Sequence, residues 1–156
     1  MGDEKLVIFR LGNEWYGVDI AIVEGIEKML PIVRIPNSVA HIQGVINLRG
    51  NIIPVYSLRN RFGLPDAQIT EDSKFLITLV GRTQLALLVD GLDGIYDISE
   101  EQYHETPIIV KTEETAFIRS IALEGKRLVM ALDTNYLLSR QEQDAVNKII
   151  EEQTKK

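Results

Sequence analysis

The stretch VINLRGNIIPVYSLR, Val45–Arg59, sets two apolar runs around the tetrapeptide Asn47-Leu48-Arg49-Gly50. A cation followed at once by glycine stands where two strand-like segments meet. Asn and Gly bracket sharp turns because Asn bonds nearby backbone and Gly supplies positive φ. The reading is a turn anchored in the core by Leu48, with Arg49 pushed outward on a rigid base. Residue chemistry leaves two roles open for that arginine. It is a surface side chain bonding its own loop, or it is presented to a partner, where its planar fork bonds carboxylates or carbonyls. NIIPVYSLR then reads as a strand. Pro54 has no N–H, which predicts an edge position or a bulge.

Working outward, most of the chain reads as short strands. KLVIFRLG and EWYGVDI predict a hairpin turning at Gly12-Asn13. DIAIVEGIEKM changes period: Ile20, Val23 and Ile26 or Glu27 recur at helical spacing, with Asp19 as N-cap and Pro31 as the stop. Gly25 weakens that helix. The segment from Pro31 to Gly50 reads as loop-rich, punctuated by Pro36-Asn37. KFLITLV and QLALLVDGL predict a second hairpin, and DGIYDIS continues extended. SEEQYHETPIIVKTEE reads as an acidic linker. TAFIRSIALEGKRLVMALDT predicts a third hairpin turning at Glu124-Gly125, and the rest reads as a polar helix. About eight to ten short strands with two or three short helices imply small barrels or a sandwich, not a parallel α/β sheet.

Composition narrows the function. The 156 residues carry 45% hydrophobic residues, a net charge of −6 and no cysteine. The balance is acidic, which argues against a nucleic-acid or anionic-membrane binder, since both need a basic face. The missing cysteines exclude disulfides, thiolate metal sites and a Cys nucleophile. The start, MGDEKLVIF, does not read as a secretory signal, and no apolar run approaches the ~20 residues of a membrane span. A cytoplasmic setting is expected.

Reactive constellations are missing. The sequence holds no phosphate-binding glycine loop and no nucleophile elbow. His41 and His104 are far apart and lack partners at metal-ligand spacing, so both read as structural or surface residues. Asp90 and Asp93, each followed by glycine, suggest a calcium loop or an acid–base pair. The alternating ligands and distal glutamate of a calcium loop are absent, so two Asp-Gly turns are the better reading. Trp15 and Tyr16 read as core or rim aromatics without the basic residues of a stacking platform. No cofactor or metal is expected.

The ordered motifs resolve the open role of Arg49. GVINLRGNIIPVYSLRNRFG closely resembles the signature of the CheW family, the coupling proteins of bacterial chemotaxis. VIFRLGNEWYGVDIAIVEGI resembles the family's opening hairpin and helix. LALLVDGLDGIYDI and IRSIALEGKRLVMALDTNYLL are similar to its central strand and closing hairpin. The resemblance runs from Leu6 to Leu138. It implies a mostly β fold: two small five-stranded, Src-homology-like β-barrel subdomains sharing a hydrophobic core, with short helices and a C-terminal helix. The CheW-like domain would span 1–139, with subdomain 1 about 1–50 plus 101–139 and subdomain 2 about 51–100. A polar helix or tail would occupy 140–156.

The resemblance also implies a non-catalytic adaptor that links the cytoplasmic tips of methyl-accepting chemotaxis receptors to the histidine kinase CheA, through its regulatory domain. Carried over by position, Arg49 would contact the receptor and Val23 would line the same groove. Asn47 and Gly50 would shape the turn, and Gly44 would allow a close approach. The family often has an acid two residues after the matching valine; Gly25 stands there in this chain, with Glu24 beside it. The kinase would dock on the second barrel, with Lys74, Phe75 and Ile77 as candidates. Related domains occur in CheV-type adaptors and in CheA itself. Without a receiver or kinase core in these residues, a stand-alone coupler is the expectation. Alternatives are a CheW-like adaptor in another pathway, such as surface motility, and, from other classes, a small nucleic-acid-binding barrel or a hydrolase.

Overall fold

A computed structural model describes residues 4–36, 41–65, 68–105 and 115–154. Eleven strands run through it: β1 (Glu4–Leu11), β2 (Glu14–Asp19), β3 (Val23–Lys28), β4 (Ile42–Leu48), β5 (Asn51–Ser57), β6 (Lys74–Val80), β7 (Thr83–Val89), β8 (Gly91–Ile98), β9 (Tyr103–Glu105), β10 (Ile118–Glu124) and β11 (Arg127–Leu132). Two α-helices, α1 (Leu58–Arg61) and α2 (Arg140–Thr154), complete the regular structure, with short 3₁₀ turns between strands. The fold is mostly β, in two subdomains, as expected. The three hairpins form where the alternation and turn residues place them: β1–β2, β6–β7 and β10–β11.

The strands make two sheets. The first has the order β8-β1-β2-β11-β10-β9 and the second β3-β6-β7-β5-β4. Each contains one parallel pair joining distant segments, β2 with β11 and β5 with β7. Sheet membership divides the chain elsewhere than the approximate subdomain limits. β3 and β4, which fall within 1–50, pair in the second sheet, while β8, within 51–100, pairs with β1 in the first. The first sheet also gains a sixth strand, the three-residue β9.

Three local expectations are corrected. The segment after Asp19 is not a helix. Asp19 does cap, its carboxylate accepting the Ala21 N–H at 2.9 Å, but the capped element is a single 3₁₀ turn, Ile20–Ile22. The chain then enters β3. Val23, Gly25 and Glu27 are half-buried while Glu24, Ile26 and Lys28 are exposed, the two-residue alternation of an edge strand. The region before Gly50 is not all loop, because β4 occupies Ile42–Leu48. Nor is β5 an edge strand: it lies between β7 and β4. Pro54 is tolerated because its partner Val45 turns both backbone groups away. The Val45 N–H bonds the Val33 carbonyl at 2.9 Å, and the Val33 N–H bonds the Val45 carbonyl at 2.8 Å. The bulge sits across the ladder in β4, at Gln43.

Packing follows the two faces of each sheet. Leu6, Ile8, Ile98, Ala122, Val129 and Ala131 fill the first subdomain. Ile46, Ile53, Val55, Phe75, Ile77, Ala86 and Leu88 fill the second. Between them lies a larger shared core drawn from both sheets, including Phe9, Tyr16, Val18, Tyr56, Leu76, Leu87 and Leu132. The C-terminal helix α2 docks on this shared core through Val146, fully buried, and Ile150. Ser139 and Glu142 form a capping box at its start, each side chain accepting the other's backbone N–H at 3.1 Å. No helix among the described residues is long and apolar enough to cross a membrane.

Candidate functional site

Arg49 and Gly50 are the two residues between the paired ends of β4 and β5, Leu48 and Asn51. Both have positive φ, 51° and 90°, as a type I′ turn requires. The Asn47 side chain closes the turn by accepting the Gly50 N–H at 2.8 Å. An arginine held in left-handed geometry is uncommon, because its Cβ crowds the following carbonyl. The turn expected between Asn47 and Gly50 is therefore present, with the strain placed on Arg49 itself.

The Arg49 side chain is 73% exposed and reaches Glu27 of β3, Nη2 to Oε1 at 2.9 Å. β3 and β4 are the two edges of the second sheet. The Arg49 side chain thus links the β4–β5 turn to β3, and the outer side of β4 is met by the segment that follows β3. That seam is the Val33–Val45 bridge. Gly44 belongs to this seam: with φ at 156°, a Cβ there would lie 2.2 Å from the Val33 carbonyl oxygen. Gly44 permits a close approach, and what approaches is the chain's own backbone. Beside the seam, His41 bonds Asn60 and leans on Tyr56 with ring centroids 6.0 Å apart, a core-edge histidine.

Val23 and Glu24 sit at the other end of β3, about 13 Å and about 10 Å along the strand from Glu27 at the usual rise per residue. Val23 is half-buried against the shared core. Glu24 accepts a bond from Gln84 Nε2 at 2.9 Å. Arg49, Asn47 and Gly44 are thus gathered on the β4–β5 hairpin, while Val23 and Glu24 share only the edge strand with Arg49's acid partner. Two kinase-face candidates are corrected. Phe75 is fully buried and Ile77 is 2% exposed, both inside the second subdomain's core, so neither offers surface to a partner. Their strand is buried on both faces from Phe75 to Thr78; Lys74, half-buried at its start, keeps its ammonium at the surface, donating to the Glu71 carbonyl at 3.0 Å.

Two pairings escaped the sequence reading. Glu27, half-buried and bonded to Arg49, was signalled only by the alternation in VEGIEK. The other is a network at the far end of β5. Arg59, in α1, forks onto Asp90, Nε to Oδ1 at 3.0 Å and Nη2 to Oδ2 at 2.5 Å. Asp90 Oδ2 also accepts the Gly12 N–H at 2.7 Å, and Arg10 donates to the Asp90 carbonyl. Burial pushes the Asp90 carboxyl up, but Arg59, the Gly12 N–H and Arg10 together hold it below the usual carboxylate range. Asp93 pairs instead with Arg127 at 2.7 Å, and that arginine lies over the Trp15 ring at 4.6 Å. Both aspartates are structural, through ion pairs and not through Asp-Gly turns. Among the described residues no group of three or more His, Asp or Glu side chains is placed to hold a metal ion.

The CheW-like domain matches residues 5–142 of this chain. The chemotaxis protein CheW of Klebsiella aerogenes is 31% identical over 146 residues, covering 94% of this chain and 88% of that one. The chemotaxis protein CheW of Bacillus subtilis is 29% identical over 138 residues, 88% of each. The crystal structure of scaffolding protein TtCheW from Thermoanaerobacter tengcongensis superimposes with a TM-score of 0.80 at 34% identity, over 90% of this chain and 95% of that one. These matches take in both sheets and the Arg49 turn, and the chain belongs to the CheW-like domain family.

Proposed function

We propose that this protein is a non-catalytic adaptor of bacterial chemotaxis, coupling the cytoplasmic tips of methyl-accepting receptors to the histidine kinase CheA. In this role it works in the cytoplasm, at receptor arrays, without entering the membrane. The observation that carries the reading is Arg49: exposed, conformationally strained, and borne on the tight β4–β5 turn in a chain of the CheW-like family. Strain persists at a position the surroundings over-determine, and such positions cluster where a residue is used. Arginine is also enriched among the few side chains that dominate an interface.

Arg49 is the receptor contact, on a turn shaped by Asn47 and supported by the Gly44 seam. Val23 and Glu24 extend the receptor surface along β3. The kinase docks on the second subdomain, where Lys74 remains the surface candidate. The test is a titration of the purified protein with a receptor-tip fragment and, separately, with CheA's regulatory domain, with Arg49→Asp in parallel. Binding of both partners, with only receptor binding weakened in the variant, is the expected result. Failure to bind either partner refutes the adaptor role.

A further inference from the structure

Arg10 lies near the end of β1, flanked across the first sheet by Trp15 of β2 and Gly91 of β8. Its guanidinium rests over Gly91, where a Cβ would stand 3.0 Å from Nη2, so any side chain there would crowd it. Arg10 donates to the Gly12 carbonyl at 3.2 Å and to the Asp90 carbonyl at 3.5 Å. The Asp90 carboxylate itself is taken by the Arg59 fork and the Gly12 N–H. Lys74, at the start of β6, lines the same open cleft of about 370 Å³, and its ammonium donates to the Glu71 and Ser73 carbonyls. Trp15 and Leu92 line the cleft too, with Asp72 exposed at its rim. Lys74 also stands directly opposite Lys28 in the β3–β6 ladder, and like charges so placed repel. Among the described residues Arg10, Lys28 and Lys74 join no ion pair, whereas Arg49, Arg59, Arg119 and Arg127 each hold an acid.

We propose that this cleft binds a doubly charged oxyanion of the inorganic phosphate type, held between Arg10 and Lys74. In a chain of net charge −6, cations gathered without acids are a local positive field that an anion neutralises. The two carbonyl bonds leave most of the five guanidinium N–H donors of Arg10 uncommitted. A guanidinium fork takes two oxygens of one phosphate, and an ammonium meets a third as a point charge. A dianion therefore offsets both side chains at once and relieves the Lys28–Lys74 repulsion. The Trp15 and Leu92 side chains keep water from one wall, which strengthens the attraction. Gly91 seats the guanidinium beforehand, which lowers the ordering cost of binding. Because the walls come from the first sheet and from β6, a bound anion would tie the two subdomains together. Arg49 does not line the cleft, and the inference stands without the receptor contact.

The test titrates inorganic phosphate into the full chain at constant ionic strength, with chloride as the balancing anion. Trp15 is the chain's single tryptophan, so its fluorescence reports on the cleft directly. The Arg10 Nε–H resonance gives a second, independent reading. The proteins are the parent, Arg10→Gln, Lys74→Gln and Lys148→Gln, the last removing an exposed charge on α2. A saturable change is expected in the parent, with one midpoint in both readings. Binding should weaken at least tenfold in Arg10→Gln and several-fold in Lys74→Gln, and stay unchanged in Lys148→Gln. Cooperative urea unfolding of each variant confirms its fold, and Lys74→Gln decides the matter should Arg10→Gln fail to fold. No saturable response in the parent overturns the proposal. So does a response that chloride reproduces, or one that Lys148→Gln weakens as much as Lys74→Gln, because either result describes diffuse anion attraction and not a site.

Discussion

Arg49 and Arg59 stand at the two ends of one strand, and each is paired with one acid. In the Arg59–Asp90 pair the side chains are 18% and 12% exposed, the contact is a fork, and the carboxylate also takes a backbone N–H from the β1–β2 turn. In the Arg49–Glu27 pair the arginine is mostly in water and the contact is a single bond. The first ties helix α1 to the first subdomain's opening hairpin across the junction. The second barely restrains its arginine against solvent. Exposed ion pairs contribute little to stability, whereas a buried charge that loses its partner is costly. The difference separates an arginine the fold needs from one the fold displays.

Arg59→Ala is the most damaging way to probe the contrast. It strands the Asp90 carboxylate among buried groups, and urea unfolding is expected to show a loss of about 3 kcal/mol. Receptor affinity of the folded protein should stay near that of the parent. A loss of receptor binding at unchanged stability would erase the distinction between the two arginines. The pair also has a pH signature. The Asp90 carboxyl is held below its ordinary value, so its stabilisation is complete above the unfolded value and lost as pH falls through the folded one. Stability of the parent should therefore drop in acid, below the ordinary aspartate range. Asp90→Asn should be less stable at neutral pH and flatter through that drop, as read by denaturation midpoints across pH.

Gly44→Ala tests the seam that carries the displayed arginine. The added Cβ meets the Val33 carbonyl oxygen at 2.2 Å, a backbone atom that cannot rotate away. A loss of about 2 kcal/mol is expected, from a backbone shift that opens the Val33–Val45 bridge. Receptor affinity should fall with it, because the β4–β5 hairpin moves. Preserved stability would mean that the segment after β3 is held on β4 elsewhere.

The two arginines also measure what was legible in the sequence. The Arg49 turn could be read because type I′ chemistry is local: Asn47, Gly50 and the flanking apolar residues lie within a few positions of one another. Hairpins were legible for the same reason. Asp90's partners come from β1, the β1–β2 turn and α1, and no periodicity links them. The parallel pairs β2–β11 and β5–β7 are equally non-local, as are the β1–β8 and β3–β6 pairings that carry β8 into the first sheet and β3 into the second. The segment Ile20–Glu27 misled differently. Its apolar residues fit a 3.6-residue period over one turn, and the capping aspartate is real. Gly25 and the branched Val23 and Ile26 weigh towards a strand, and pairing with β6 decides it.

The finest test separates what Arg49 does for the fold from what it does for a partner. Its φ of 51° is natural for glycine and strained for any residue with a Cβ. Arg49→Gly relieves that strain, loses a weak ion pair, and loosens the unfolded chain. These opposing terms leave stability within about 0.5 kcal/mol of the parent. Arg49→Ala keeps the strained Cβ without the ion pair and is expected to be less stable than Arg49→Gly by roughly 0.5–1 kcal/mol. Receptor affinity should fall in both by about tenfold, the loss typical of a dominant interface side chain. If alanine and glycine rank this way in denaturant yet bind equally poorly, the backbone at this turn tolerates arginine only because a partner uses it. If alanine is the more stable of the two, Arg49 is unstrained in solution, and its left-handed geometry stops being a reason to place the docking site there.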